Sequence, residues 1–441
     1  MFRSWNLRQK RLDWNPQEFS VIGREAPSGI IIPGWCPFMK HFDFVIVGAG
    51  SSGRTAVETL EAEAPGRSIL LINSEESLPY KRTSISKNAV NGYQMDAFAI
   101  HPAAWYPEHG VELINGQAAL RIDTEAHTLS LESETISYSK LLLATGARPC
   151  MPFADLPRGK WSALWTAADG LILHEKLSGL KKLAVVGIGV LGVEAAWQAV
   201  SAGVDTVMLG LDSHPMMKSL DRISAEPLER AIRKAGVQLL TRRKVLSITD
   251  NPDICGVSIN TDSGDISADY AVLAVGGEPE VSLARSSGIP VNKGVLVDFS
   301  LKTAAPDIWA AGDCAEHAGG FVTGLWHSAE NQGYLAALGM LGKSVKFENP
   351  PFRLKCEVFG GYWFSGGAVK ASGVSGGLDP AETVNVDGIT WRPRFRDGKL
   401  EALVAAAPRG MDKGTAKRAQ KLLLRGAGRE ETLSVLMGKG L

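Results

Sequence analysis

The chain has 441 residues, more than one hydrophobic core usually serves, so two or three domains are expected. Its 47 basic and 47 acidic residues cancel, which removes the global field that a nucleic-acid-binding protein relies on. No apolar run reaches the ~18 residues of a spanning helix, and the five cysteines fall into no C-x-x-C or zinc-ligand spacing, so neither a transmembrane segment nor a metal centre is expected.

Residues 1–40 carry Trp5, Trp14 and Trp35 without a sustained period and read as an N-terminal extension. A strand at Phe44–Val47, a helix over Ser51–Glu63 and a strand at Ser68–Ile72 follow as one β-α-β unit. Its turn, Gly48-Ala49-Gly50-Ser51-Ser52-Gly53, fits G-x-G-x-x-G between strand and helix. There the first glycine permits the turn, the second lets a pyrophosphate approach bare backbone, and the third lets helix and sheet pack closely. Glu75 and Glu76 stand at about the separation where a carboxylate holds the adenosine ribose.

Alternation over Gly116–Leu131 predicts a hairpin, and Lys140–Thr145, stopped by Gly146, predicts a buried strand. The pattern then repeats: an apolar strand from Lys182 leads into Gly187, Gly189 and Gly192, with Glu194 on the helix beyond. The run Tyr270–Val275, stopped by Gly276 and Gly277, is expected to return the chain to the first domain, making that domain discontinuous. A helix over Ser328–Leu341 precedes Pro350-Pro351, a boundary signal. Beyond it, Leu354–Phe364, Thr390–Arg396 and Leu400–Ala406 read as strands, with Asp397-Gly398 as a hairpin turn. The resulting α/β architecture is two Rossmann-like dinucleotide-binding domains and a small C-terminal α+β domain. Its expected limits are 41–154 and 271–345 for the first domain, 155–270 for the second, and 346–441 for the third.

Three stretches, Asp43–Gly53, Lys182–Glu194 and Asp307–Glu316, together resemble the two-dinucleotide-binding-domain flavoproteins of the pyridine nucleotide-disulfide oxidoreductase superfamily. Within it, Leu78–Lys87 (LPYKRTSISK), Gly324-Leu325-Trp326 and Leu354–Gly366 are similar to motifs of the rubredoxin reductase and nitrite reductase flavodomain group. The resemblance implies FAD held by Gly48, Gly50, Gly53, Glu75, Arg82, Lys87, Thr145, Gly146 and Asp313, with Trp326 bordering the ring. It implies NAD(P)H at Gly187, Gly189 and Gly192, with Glu194 beside the nicotinamide ribose and Gly276 joining the cofactor-binding set. Lys87 is the one residue assigned a catalytic part, offsetting charge on reduced flavin. Family members pair this lysine with a glutamate of a TLEDA-like stretch, whereas the comparable run here is Thr166–Gly170, with Ala168 at that place. Past the second turn, Gly210 stands where NAD-specific members often carry an acid; no arginine cluster follows it, Asp212 and His214 are the nearest polar candidates, and the balance leans to NADH.

No cysteine lies between Cys36 and Cys150, so the first domain supplies no redox disulfide. The function implied is a cytoplasmic FAD-dependent NAD(P)H oxidoreductase passing electrons to a small acidic redox protein such as rubredoxin, steered by the basic segment Arg409–Leu441. The competing readings are a flavin-bearing subunit of a larger electron-transfer complex and a type II NADH:quinone reductase.

Overall fold

A computed structural model describes residues 39–88, 92, 99–153, 156–157, 159–368 and 379–438, with the backbone alone at Lys87 and Asn88. Nearly all of the expected N-terminal extension therefore lies outside the described residues, as does the extreme C-terminus.

The strand His41–Val47 is apolar along its inner length because it runs through the middle of a sheet covered on both faces, the pattern of a buried parallel strand. It pairs in parallel with Ile69–Asn73 on one side and Thr135–Leu143 on the other. Val111–Asn115 extends the first edge, and Ile308–Ala310 adds a late parallel strand beside Thr135–Leu143. The expected hairpin is confined to Arg121–Asp123 and Thr128–Ser130 and continues antiparallel into Thr135–Leu143. Leu120 still donates its N–H to the Ser130 carbonyl at 2.9 Å, but Gly116 and Gln117 do not join, because their N–H groups go to the Glu75 and Asn73 carbonyls instead.

A second parallel sheet runs in the order Gln238–Leu240, Asp205–Leu209, Lys182–Val186, Tyr270–Leu273, Trp161–Ala163. An antiparallel meander of Val245–Asn251, Gly256–Thr261 and Ile266–Ala268 is appended to it. The strand Tyr270–Leu273 pairs with Lys182–Val186, so it belongs to this second sheet and does not return the chain to the first. A strand with two parallel neighbours is buried on both faces and is as uniformly apolar as one that leaves, so composition alone does not assign it. The return comes one step later, where Gly277–Pro279 pairs antiparallel with Ala147–Pro149 and ties the outgoing and incoming connections together.

The third sheet is antiparallel, in the order Arg353–Val358, Gly361–Gly367, Lys399–Ala407, Ile389–Arg396, Val384–Val386. The stretch Leu354–Phe364, expected as one strand, is a hairpin folded at Phe359-Gly360, both with positive φ (52° and 71°). Asp397-Gly398 makes the same kind of turn, φ 49° and 74°. One face of this sheet packs Cys356, Val358, Phe359, Trp363, Val404 and Ala406 into the core of the second sheet. The other face receives the helix Lys413–Leu424 through Ala416, Ala419, Leu422 and Leu423. Among the described residues no helix is long and apolar enough to cross a membrane.

Candidate functional site

The two glycine turns are built alike, and their geometry shows what each glycine does. Gly48 has φ +108° and Gly187 φ +117°, the left-handed region that penalises side chains. A Cβ on Gly48 would come within 2.2 Å of the Ala144 carbonyl oxygen, and one on Gly187 within 2.2 Å of that of Ala274. On the third glycines a Cβ would meet the first glycine's carbonyl oxygen, 1.8 Å from Gly53 to Gly48 and 2.0 Å from Gly192 to Gly187. Gly50 and Gly189 differ: a Cβ there would meet nothing within 4 Å, so their backbones face open space. Each is the N-cap of its helix with no side-chain cap and no acid in the first turn. The N–H groups are left for an external anion, and the helix dipole adds its positive end.

Both turns lie where the central strand has parallel neighbours reached by crossovers to opposite sides, the position at which open α/β sheets bind ligands. At the first, a cleft of about 320 Å³ is lined by Gly48, Gly50, Glu75, Arg82, Thr145, Gly146, Asp313 and Trp326 among others. Six segments, far apart in the chain, thus meet at the residues that the motifs singled out. Gly53 sits behind the cleft as packing.

Glu75 is held from two sides. Arg82 Nη2 donates to its Oε1 and the Tyr80 hydroxyl to its Oε2 at 2.8 Å. Arg82 also donates to the Trp165 carbonyl at 2.6 Å, and the Tyr80 oxygen accepts from the Ala167 N–H at 2.9 Å. Burial raises the Tyr80 phenol above its ordinary range, so it remains a donor. Asn73 donates to the Ser77 carbonyl and to Asn115, fixing the turn that presents Glu75.

Asp313 is the site's other acid. Burial pushes its carboxyl above the usual range, with the Arg82 charge pulling the other way. Its Oδ1 is buried without a hydrogen-bond partner, a cost that a polyol or amide donor in the cleft would relieve. The following residue, Cys314, points away, donating its thiol to the Leu143 carbonyl at 3.4 Å, and burial holds that thiol protonated. No cysteine is among the residues lining the cleft.

Behind the cleft, Ser52 Oγ donates to the Ala311 carbonyl at 3.2 Å, and Gln332 Oε1 accepts from the Gly312 N–H at 2.8 Å. These link the first glycine helix, the Asp313 loop and the helix Trp326–Met340 into one frame. Gly333 lets the two helices touch: a Cβ there would lie 2.1 Å from the Ser52 carbonyl oxygen. Tyr80, Trp165, Ser52, Gln332 and Gly333 were not singled out from the sequence; only Tyr80 had a signal, inside LPYKR.

Glu194 does not line the cleft. It is buried, accepting from Ser86 Oγ and from Cys356 Sγ at 3.9 Å, so it joins the helix Ile85–Asn88 to the third sheet. The side chain of Lys87 lies outside the described residues. Ala168 lies in a helix capped by a Thr166–Asp169 capping box, and the carboxylate that reaches the Ile85–Asn88 helix comes instead from Glu194. Gly276, φ +102°, has open space at its Cα and accepts from the Cys150 N–H at 2.9 Å, at the crossing between the first and second sheets.

Known proteins place this architecture. The chain is 30% identical to the assimilatory nitrate reductase electron transfer subunit of Bacillus subtilis (strain 168) over 69% of its own length, spanning 40% of that relative. It is 30% identical to the benzene 1,2-dioxygenase system ferredoxin–NAD(+) reductase subunit of Pseudomonas putida, over 82% of this chain and 89% of that one. Among solved structures, the ferredoxin reductase for the CYP199A2 system of Rhodopseudomonas palustris superposes with a TM-score of 0.79 at 23% identity, over 90% of this chain and 98% of that one, which shows the fold. The pyridine nucleotide-disulphide oxidoreductase profile matches residues 42–333, well over half of the chain. Paired glycine cradles, a buried acid facing the first of them and these likenesses lead to one assignment: the chain belongs to the pyridine nucleotide-disulphide oxidoreductase family.

Proposed function

We propose that this protein takes electrons from NAD(P)H through FAD and delivers them to a small acidic redox protein of the rubredoxin or ferredoxin kind. The observation that carries the reading is the first cleft: an open glycine cradle, a clamped Glu75 and an unpartnered buried Asp313 meet there with no cysteine in the lining. These residues fit FAD. The Gly50 turn would take the pyrophosphate, Glu75 the adenosine ribose and Asp313 the ribityl hydroxyls, with Trp326 at the ring. Bound flavin supplies the exchange between a two-electron donor and a one-electron acceptor. The chain's own part is to orient the nicotinamide over the ring from the second turn and to keep water out with Ile85, Leu164 and Leu191. Relatives named as ferredoxin–NAD(+) reductases and as an NADH-rubredoxin oxidoreductase support this choice of acceptor.

The acceptor's docking place is better supported at the mouth of the cleft than on the basic C-terminal segment. Next to Trp326, His327 Nε2 lies 3.2 Å from the Pro351 carbonyl oxygen. Burial lowers the His327 pKa and the Arg353 charge adds to it; burial and the same arginine lower that of Lys355. With its pKa lowered, His327 carries little charge at neutral pH, so the cations that would meet an acidic carrier here are Arg353 and the exposed Lys355, with Glu330 offsetting them in part. On the C-terminal segment, Arg425 and Arg429 are already paired with Glu431 and Glu382. The apolar face of Lys413–Leu424 is used up against the third sheet, which weighs against a membrane-seated quinone reductase. A cytoplasmic setting follows from the reductant, whose pool is there.

Anaerobic addition of NADH or NADPH to the yellow protein is expected to bleach the flavin band; no bleaching by either ends the proposal. Lys355→Glu is expected to slow reduction of an acidic rubredoxin ~10-fold at low salt while leaving bleaching unchanged. Equal acceptor rates for parent and variant would remove this docking place.

A further inference from the structure

The end of the strand Asp205–Leu209 is where the adenosine ribose of the second dinucleotide is read: an acid there binds a free 2′-hydroxyl, an arginine nearby a 2′-phosphate. In this chain the position is Gly210, and it has little room for anything larger, since a Cβ would lie 3.1 Å from an Ile188 methylene and 3.3 Å from the Ile188 nitrogen. His214, one of the two candidates from sequence, is buried, with Nδ1 on Ser213 Oγ and Nε2 on the Leu220 carbonyl, so both ring nitrogens are committed to the loop itself. Leu211 is 71% exposed and offers no polar group.

The polar groups at this edge come from the neighbouring strand. Gly210 donates its N–H to the Leu240 carbonyl, the Arg243 N–H donates back to the Gly210 carbonyl at 2.9 Å, and the Arg242 N–H donates to the Asp212 carbonyl at 3.0 Å. Arg242-Arg243-Lys244, some thirty residues downstream, is thereby clasped against the loop, an arginine cluster that a scan forward from Gly210 does not see. The three are not equivalent. Arg243 is held down by donation to the Ser263 carbonyl, and Lys244 departs along the next strand with its N–H on Asp262. Arg242 is exposed, and its φ of +54° turns the chain at the point of contact with Asp212. Among the described residues its guanidinium has no hydrogen-bond or ion-pair partner.

We propose that Arg242 is the residue that selects the nicotinamide cofactor, binding the 2′-phosphate of NADPH from the strand next to the usual one and making NADPH the preferred reductant. This rests on the second turn being the NAD(P)H site and reverses the lean to NADH. Asp212 is the competing group, since its carboxylate would suit a free 2′-hydroxyl; the loop's other acid, Asp221, is taken by the Ser224 N–H and Arg392.

The test uses the FAD-loaded protein. Calorimetry with 2′,5′-ADP and with 5′-AMP is expected to show 2′,5′-ADP binding ~10- to 100-fold tighter, the size of one charge-assisted arginine–phosphate contact. Arg242→Asn tolerates the left-handed backbone; it is expected to abolish that difference, to lower kcat/KM for NADPH by the same ~10- to 100-fold, and to leave NADH untouched. Arg242→Lys is expected to restore part of the preference. Equal affinity for the two nucleotides in the parent, or a loss of NADH activity in Asp212→Asn with no effect of Arg242→Asn, overturns the inference. If neither nucleotide binds, the second turn is not the NAD(P)H site and the broader proposal fails first.

Discussion

At single positions, the glycines of a turn that look equivalent as letters have opposite physical roles. Gly50→Ala adds a methyl that meets nothing in the protein, so folding is expected to be nearly unchanged, while the methyl occupies the space a pyrophosphate needs. Gly53→Ala drives a Cβ into the Gly48 carbonyl and is expected to cost about 1–3 kcal/mol of stability as well as flavin. Thermal melts of the flavin-free proteins, set beside bound-flavin absorbance, separate the two; equal melting losses would refute the distinction. Asp313 makes a pH prediction. Its folded pKa is raised by burial, so the protonated carboxyl favours the native apoprotein, and that contribution fades as pH rises through the raised value. Flavin-free Asp313→Asn is therefore expected to melt above the parent at neutral pH, to lose that advantage toward acid, and to hold FAD more weakly. A melting difference independent of pH would show that the carboxyl is not being forced to ionise in a dry place.

Among elements, much was legible in the letters. The first glycine helix, Ser51–Glu63, falls on its expected limits, because a glycine turn sets its start and charged, proline-bounded sequence its end. The cleft's main residues, Glu75, Arg82, Thr145, Gly146, Asp313 and Trp326, were also in view, since each sits in a motif whose spacing is set by the ligand. What stayed hidden depends on neighbours in space. Nothing local marks Tyr270–Leu273 as a second-sheet strand, Gly333 as the contact of two helices, or Glu194 as an interior residue; each is decided by what packs against it. Gly333→Ala tests this level: with its Cβ 2.1 Å from a backbone oxygen of the partner helix, it is expected to cost about as much as Gly53→Ala and to loosen flavin indirectly. Unchanged melting would mean that the helices slide apart freely.

For the molecule as a whole, the third sheet is an integral part of the half built on the second sheet. Cys356, Val358, Phe359, Trp363, Val404 and Ala406 lie in the same core as Leu183, Val185 and Met208 of the second sheet. Removing everything after Pro350 is therefore expected to leave the first sheet protease-resistant and the second degraded, whereas two intact fragments would contradict a shared core. For the same reason, deleting the basic C-terminal segment is a poor probe of docking, since Leu422 and Leu423 would leave a hole in the third core. Charge reversals such as Lys417→Glu keep that core intact.

The clamp on Glu75 has a consequence for the chain before any ligand arrives. Arg82, Tyr80 and Asn73 settle the Glu75 corner of the cleft using the chain's own groups alone. That corner is therefore expected to stand ready-made in flavin-free polypeptide, while the orphaned Asp313 oxygen still waits for its donor.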